Sequence, residues 1–193
     1  ALDAGIKPPV VTAMLKYWST EIARKNINHA MDVVGGAGIS RGPNNLLAHG
    51  YIALPIGVTV EGANILTRTL IIFGQGAIRA HKYVYNEFEA IQNKDLKMFD
   101  KAFWGHVGLV FNNTFRALIL SLTRGYSALG CLGQGKLWRY YQKLTWASSV
   151  FALFTDFALS LLGGTLKAKG QLSGRFADVF SWMYFASSTL RRY

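Results

Sequence analysis

Acidic residues are scarce in this 193-residue chain: Asp and Glu number 10 against 21 Lys and Arg, a formal net charge of +11. Cysteine is scarcer. Cys131 stands alone in a glycine-rich stretch, so an internal disulfide is excluded and a thiolate metal centre has no support. The histidines His29, His49, His81 and His106 include no i, i+4 pair with an accompanying acid. Zinc chemistry of the two-histidine helical kind is therefore unsupported, and each histidine is expected at the surface or the core edge. No stretch alternates apolar and polar residues at period two for long enough to require a sheet, and Val58-Thr59-Val60 is too brief to build one. An initiating Met, a signal peptide and a sorting motif are also missing, and Tyr193 ends the chain inside a helical pattern. These features lead to the expectation of a fragment cut at both ends.

What is present favours folding. The chain is 51% hydrophobic and 16% charged, a composition able to bury one good core or two small ones. Pro8 and Pro9 suit a first helical turn, after which Val11, Met14, Leu15, Trp18, Ile22, Ile27, Met31 and Val34 recur at helical spacing up to Gly35-Gly36. Pro43-Asn44-Asn45 starts a short helical piece that Pro55 and Gly57 should interrupt. Asn64 to Arg79 reads as a helix packing Ile65, Leu66, Thr69, Ile72, Phe73 and Gly76, and Lys82 to Gln92 as another. Three longer patterns follow, about Leu96 to Arg124, Lys136 to Leu162 and Ser173 to the end, separated by glycine-rich turns at Gly125 to Gly135 and Gly163 to Gly170. The class is all-α, and long helices joined by short turns favour an antiparallel bundle. Capping chemistry at Asn93-Lys94-Asp95 sets the expected boundary, with one helical domain over 1–92 and a second over 93–193.

The basic excess lies in the second half, where Lys101 to Tyr193 holds eleven Lys or Arg against Asp156 and Asp178 alone. Such a field suits nucleic acid, an anionic membrane surface or a phosphate-rich cofactor such as coenzyme A, although a solvated face is the ordinary reading. A nucleic-acid role lacks a basic recognition helix or any known motif. Leu144 to Leu162 approaches the length of a membrane span. Thr145, Ser148, Ser149, Ala152, Asp156 and Ser160 form a small and polar stripe on it, and a central unpaired Asp costs about 2.5 to 3.5 kcal/mol in a span. This segment is expected to be a largely buried bundle helix in which Asp156 meets a basic group or an amide.

Glu61 is the only carboxylate between Asp32 and Glu87, set in the apolar run Ile56-Gly-Val-Thr-Val-Glu61-Gly62-Ala-Asn-Ile65. It should lie on a loop or helix start, desolvated by its neighbours, which would make it a candidate general base. The plainer reading is an acid near the positive end of a helix.

Val34-Gly35-Gly36-Ala37-Gly38-Ile39, followed after a spacer by Val60-Glu61-Gly62-Ala63-Asn64-Ile65, resembles the C-terminal helical domain of flavin-dependent acyl-CoA dehydrogenases. In that family a GG-x-G turn precedes an E-G-T motif by about this distance. The fuller string, from Gly42-Pro43-Asn44-Asn45 to Phe73-Gly74-Gln75-Gly76-Ala77-Ile78-Arg79, is similar to the long bacterial fatty-acid-oxidation members, whose extra C-terminal helical region the remaining residues would supply. The resemblance implies α,β-dehydrogenation of fatty acyl-CoA to trans-2-enoyl-CoA in β-oxidation. Glu61 would be the base that takes the α-proton, and its N–H would help to polarise the thioester carbonyl. FAD is the implied cofactor, with Gly35, Gly36, Gly38, Gly62, Ala63 and Asn64 as cofactor-binding positions and no metal. An electron-transfer flavoprotein or similar acceptor, a homo-oligomer and a cytoplasmic location, peripheral to the inner membrane, are implied too.

Two departures weaken the flavin contacts. Ala63 stands where the family has Thr, so a hydroxyl contact is missing or passes to Asn64; Asp32 stands where many members have Gln. The fragment by itself is expected neither to hold FAD nor to turn over substrate. A non-catalytic, membrane-associated helical protein is the alternative, motivated by the apolar patterns Phe103 to Leu122 and Leu144 to Leu162 with basic flanks.

Overall fold

The computed structural model describes Gly5 and residues 8–131 and 135–193. Residues 132–134 of the expected Gly125 to Gly135 turn lie outside the described residues. Every regular element among the described residues is helical, in accord with the all-α class. They divide into two compact units, Ala1–Ile72 and Phe73–Tyr193. The division falls upstream of the Asn93-Lys94-Asp95 boundary expected from capping; Asp95 does cap a helix, with Oδ1 accepting from the Met98 N–H at 3.0 Å, but inside the second unit.

In the first unit, α1 (Pro9–Val34) starts on proline, whose missing N–H is not needed in the first turn, and stops at Gly35, whose φ of 61° and ψ of −137° only glycine adopts readily. A 3-10 turn, Gly35–Gly38, follows. Then α2 (Leu47–Thr59) packs along α1, helped by Gly50 and Gly57, where an added Cβ would lie 3.4 Å from Ile27 and 3.5 Å from Thr20. Two expectations fail here. The helix starts after Pro43-Asn44-Asn45 because Asn45 is a cap, its Oδ1 accepting the Leu47 and Ala48 N–H groups at 2.9 and 3.0 Å. Pro55 does not break α2 either; Tyr51 and Pro55 are both exposed, so the backbone bond that proline removes lies on the water side.

After the turn at Glu61, α3 (Asn64–Leu66) opens into a π-helical stretch, Thr67–Gln75, within which the unit boundary falls, and then α4 (Gly76–Ala80). The wider turn shifts the packed face. Ile72, Phe73 and Gly76 are buried as expected, but Ile65 and Leu66 are exposed, and Asn64 and Thr67 are buried instead.

The second unit contains α5 (Val84–Asn93), α6 (Leu96–Leu122), α7 (Trp138–Leu162) and α8 (Gly170–Arg192), close to the expected bounds. Neighbours α5 and α6, α6 and α7, and α7 and α8 pack together in chain order, as short connections dictate. Its apolar centre is aromatic: Phe73, fully buried, stacks on Phe176 with ring centroids 4.5 Å apart, and Phe151 contacts both before stacking on Phe180. Elsewhere this unit buries mostly small and polar residues, together with Leu120 and Leu166. The expected burial of Leu144 to Leu162 is corrected: Gly135–Ala168 is long and apolar enough to cross a membrane, and only 28% of its apolar window is buried. The stripe with Ser149 and Asp156 turns inward, while Phe154, Phe157 and Leu161 face out.

Candidate active-site turn

Glu61 sits between α2 and α3, on a turn as the sequence suggests. Its backbone is left-handed, at φ 54°, and Gly62 follows at φ 91°. The first of these conformations is costly for a residue with a Cβ, so the surroundings must impose it. They do so through α1. Lys16 Nζ donates to the Gly62 carbonyl at 2.8 Å and to Asn64 Oδ1 at 2.7 Å. Asn64 Nδ2 donates to Thr20 Oγ1 at 2.9 Å and to Glu21 Oε1 at 2.8 Å, and Thr67 Oγ1 donates to the Gly62 carbonyl at 3.3 Å. Residues i, i+4 and i+5 of α1 thus fasten the end of the turn. Sequence reading missed Lys16, Thr20 and Glu21, because nothing local ties their helical spacing to the distant Glu61 motif.

Glu61 itself is exposed, not desolvated, and its carboxylate makes no hydrogen bond or ion pair among the described residues. The reason is local: α1 grips the main chain and Asn64, leaving the Glu61 side chain to solvent.

The cofactor positions fit a flavin unequally. Gly35 and Gly36 are exposed, with no atom within 4 Å of an added Cβ, so another molecule can approach their main chain. Beside them a cavity of about 540 Å³ is walled by Val34, Ala37, Ser40, Pro43, Asn45 and Leu47. Gly38 is buried, and its added Cβ would meet the Met31 side chain at 3.2 Å; this glycine serves packing. Asn64 is 4% exposed, and both its amide hydrogens and its oxygen are engaged, which leaves no side-chain group to replace the missing threonine hydroxyl. Gly62 and Ala63 are partly buried, and Asp32 is exposed.

A second polar cluster lies in the other unit, against the expectation of scattered histidines. His81 Nε2 lies 3.0 Å from Asp156 Oδ1, His106 Nε2 lies 3.9 Å from the same oxygen, and His106 Nδ1 meets Glu87 Oε1 at 2.8 Å. Asp156 thereby finds the basic partner expected of it. The ligand atoms of His81, His106 and Asp156 lie within 4.8 Å of one another, which is within the span of a metal site. The proton arrangement opposes that use. His81 Nδ1 accepts the Tyr83 and Val84 N–H groups at 3.2 and 3.1 Å, so in the neutral ring the proton sits on Nε2 and points at Asp156. A metal at Nε2 would push that proton onto Nδ1, against two backbone donors. The cluster instead ties the start of α5 to the C-terminal part of α7.

Residues 1–73 match the family described as acyl-CoA dehydrogenase, C-terminal domain, and residues 78–193 the family described as acyl-CoA dehydrogenase, C-terminal, bacterial type. No solved structure matches the chain. Two matches in this order, meeting near the division between the compact units, cover both the glycine turn and the Glu61 motif. The chain belongs to the acyl-CoA dehydrogenase family, as C-terminal helical domains of an oxidoreductase.

Proposed function

We propose that the chain is the part of a fatty acyl-CoA dehydrogenase that supplies the general base, and that Glu61 removes the α-proton of the bound thioester. The observation carrying this reading is a lone carboxylate held in a left-handed turn, fixed by Lys16 and Asn64, in a chain of this family. The α-C–H is a weak acid, so its removal needs a base at a set position together with donors for the charge that builds on the thioester oxygen. Glu61 gives the base, and its N–H is the assigned donor. The turn fixes both on one residue, so base and donor move together. A bound FAD would supply the acceptor for the hydride, the β-hydrogen with its electron pair, that leaves as Glu61 takes the α-proton. Gly35 and Gly36 would face it with bare main chain beside the Asn45-walled cavity. Water exclusion around Glu61 would come from substrate and cofactor. The product is the trans-2-enoyl-CoA of β-oxidation, and electrons pass to an electron-transfer flavoprotein or similar acceptor, in an oligomeric cytoplasmic enzyme.

The test is Glu61→Gln in the full-length protein that carries this chain. Flavin content should stay normal, while flavin bleaching on anaerobic mixing with a long-chain acyl-CoA slows at least about a hundredfold, equivalent to about 2.7 kcal/mol. A near-normal bleaching rate in that variant defeats the assignment.

A further inference from the structure

Around its aromatic centre the second unit buries polar side chains beside apolar ones such as Ala117, Leu120 and Ala177, and leaves large apolar ones outside. Its three long helices bury Asn113, Gln142, Ser149, Asp156, Ser173 and Ser181, whereas Phe111, Phe115, Phe154, Phe157 and Leu161 are exposed. A bundle surrounded by water sorts its side chains the opposite way. One surrounded by hydrocarbon packs small residues at helix contacts and turns polar ones inward.

The apolar surface has a definite shape. Between α7 and α8 run two adjoining cavities of about 550 and 900 Å³ that share Ala147 and Val179 as walls, which makes one trough along the helix pair. Phe154 stands on its edge, with Phe157 and Leu161 continuing the exposed stripe of α7 at 51% and 80% exposure. Arg175 and Lys143 line the trough as its basic members and Asp178 as its acidic one, so its walls carry a net positive charge. A patch of this extent marks an interaction site.

Charge selects the occupant. Residues 73–193 hold 15 Lys or Arg against 6 Asp or Glu, a net +9. A second copy of the same face would meet it with like charge. A leaflet containing anionic lipid meets it with the opposite one, and long basic side chains can lay their stems on the apolar surface while their ends reach lipid phosphates. Spanning is disfavoured. Among the described straight helices only Gly135–Ala168 is apolar enough to cross, and its packing partners carry Arg116 and Arg175, both exposed. Drawing α7 through a bilayer would pull these arginines with it.

We propose that the α7–α8 face of the second unit docks in the interface of a bilayer rich in anionic lipid, with the trough and the Phe154, Phe157 and Leu161 stripe entering the acyl boundary. This carries the family's acyl thioester chemistry to a surface where acyl chains partition, and it does not depend on Glu61 being the base.

The test uses the full-length protein and vesicles of either phosphatidylcholine alone or phosphatidylethanolamine with phosphatidylglycerol, assayed by flotation. Binding is expected to the phosphatidylglycerol vesicles, weakening as salt rises. Phe154→Ser/Phe157→Ser should lower the partition coefficient about tenfold or more by removing inserted apolar area. Arg191→Gln/Arg192→Gln, at the end of α8, should lower it similarly through charge. Leu96→Ser, at an exposed apolar site off the trough, should change little, and circular dichroism and acyl-CoA bleaching should be retained in all three. No binding at low salt overturns the proposal. So does a Phe154→Ser/Phe157→Ser protein that binds vesicles normally but loses mass by light scattering, because that face is then an interface between copies.

Discussion

Asn64 shows how a residue's role follows from the hydrogen-bond inventory of its neighbours. The resemblance assigned it to the flavin, as the replacement for a threonine hydroxyl absent at Ala63. Its carboxamide is instead spent on Lys16, Thr20 and Glu21 within the chain. This makes Asn64 a link, beside the Lys16 bond to the Gly62 carbonyl, between α1 and the turn that holds Glu61 at positive φ. Asn64→Ala should cost about 1 to 3 kcal/mol, because Glu21 and Lys16 each lose a part-buried partner. Urea unfolding of the full-length protein, followed by a probe in the first unit, reads this loss, and an unchanged midpoint would show that the turn holds itself. The Glu61 turn and the glycine stop of α1 were legible because glycine and an isolated acid leave strong local marks. The grip of α1 was not, since Lys16 and Asn64 are joined only by the fold.

At the scale of elements, the histidines show why spacing alone misses some sites. His81, His106 and Asp156 lie on a helix entry, on α6 and on α7, so no local pattern connects them. Their convergence is structural: His81 accepts the first N–H groups of α5 on one nitrogen and presents the other to Asp156, whose side chain is 5% exposed. Among the described residues Asp156 Oδ2 has no hydrogen-bond partner, so the carboxylate relies there on the His81 bond at Oδ1 and on the more distant His106. Removing His81 and removing the charge should therefore differ. His81→Ala strands a buried carboxylate and uncaps α5, and should cost about 3 to 5 kcal/mol. Asp156→Asn keeps an oxygen acceptor for His81 and lifts the charge burden but places an amide NH2 where Oδ2 has no partner, so it should cost less than His81→Ala, about 1 to 3 kcal/mol. Thermal unfolding of the pair checks the order, and equal losses would mean that the His81–Asp156 bond is not what joins these helices. The π-helical stretch was equally hidden, because Thr67–Gln75 carries a helical pattern that does not reveal how wide each turn is.

At the scale of the whole chain, the order of the long helices was legible from periodicity, since their patterns exceed three turns and those of α1 and α7 stop at glycine. The direction of the apolar faces in the second unit was not. Hydropathy reports how much apolar surface α7 has, and the small-polar stripe shows which side differs, but neither says whether the oily side meets protein or something else. The aromatic centre bears on how this unit stands. Phe73, its first residue, stacks on Phe176 of α8 and touches Phe151 of α7, closing a core formed entirely within Phe73–Tyr193. Few other large apolar residues are buried there, so this cluster should dominate the stability of the unit. Phe73→Ala should cost about 3 to 5 kcal/mol, the range for an aromatic cavity in a well-packed core. Expressed alone, residues 73–193 should keep their helical circular dichroism and unfold cooperatively, and the Phe73→Ala version should show that loss at full size. A much smaller loss would mean that polar contacts such as the Asp156 cluster hold the bundle instead. The same chain should need lipid or detergent to remain monodisperse, since its exposed phenylalanines outnumber those it buries completely.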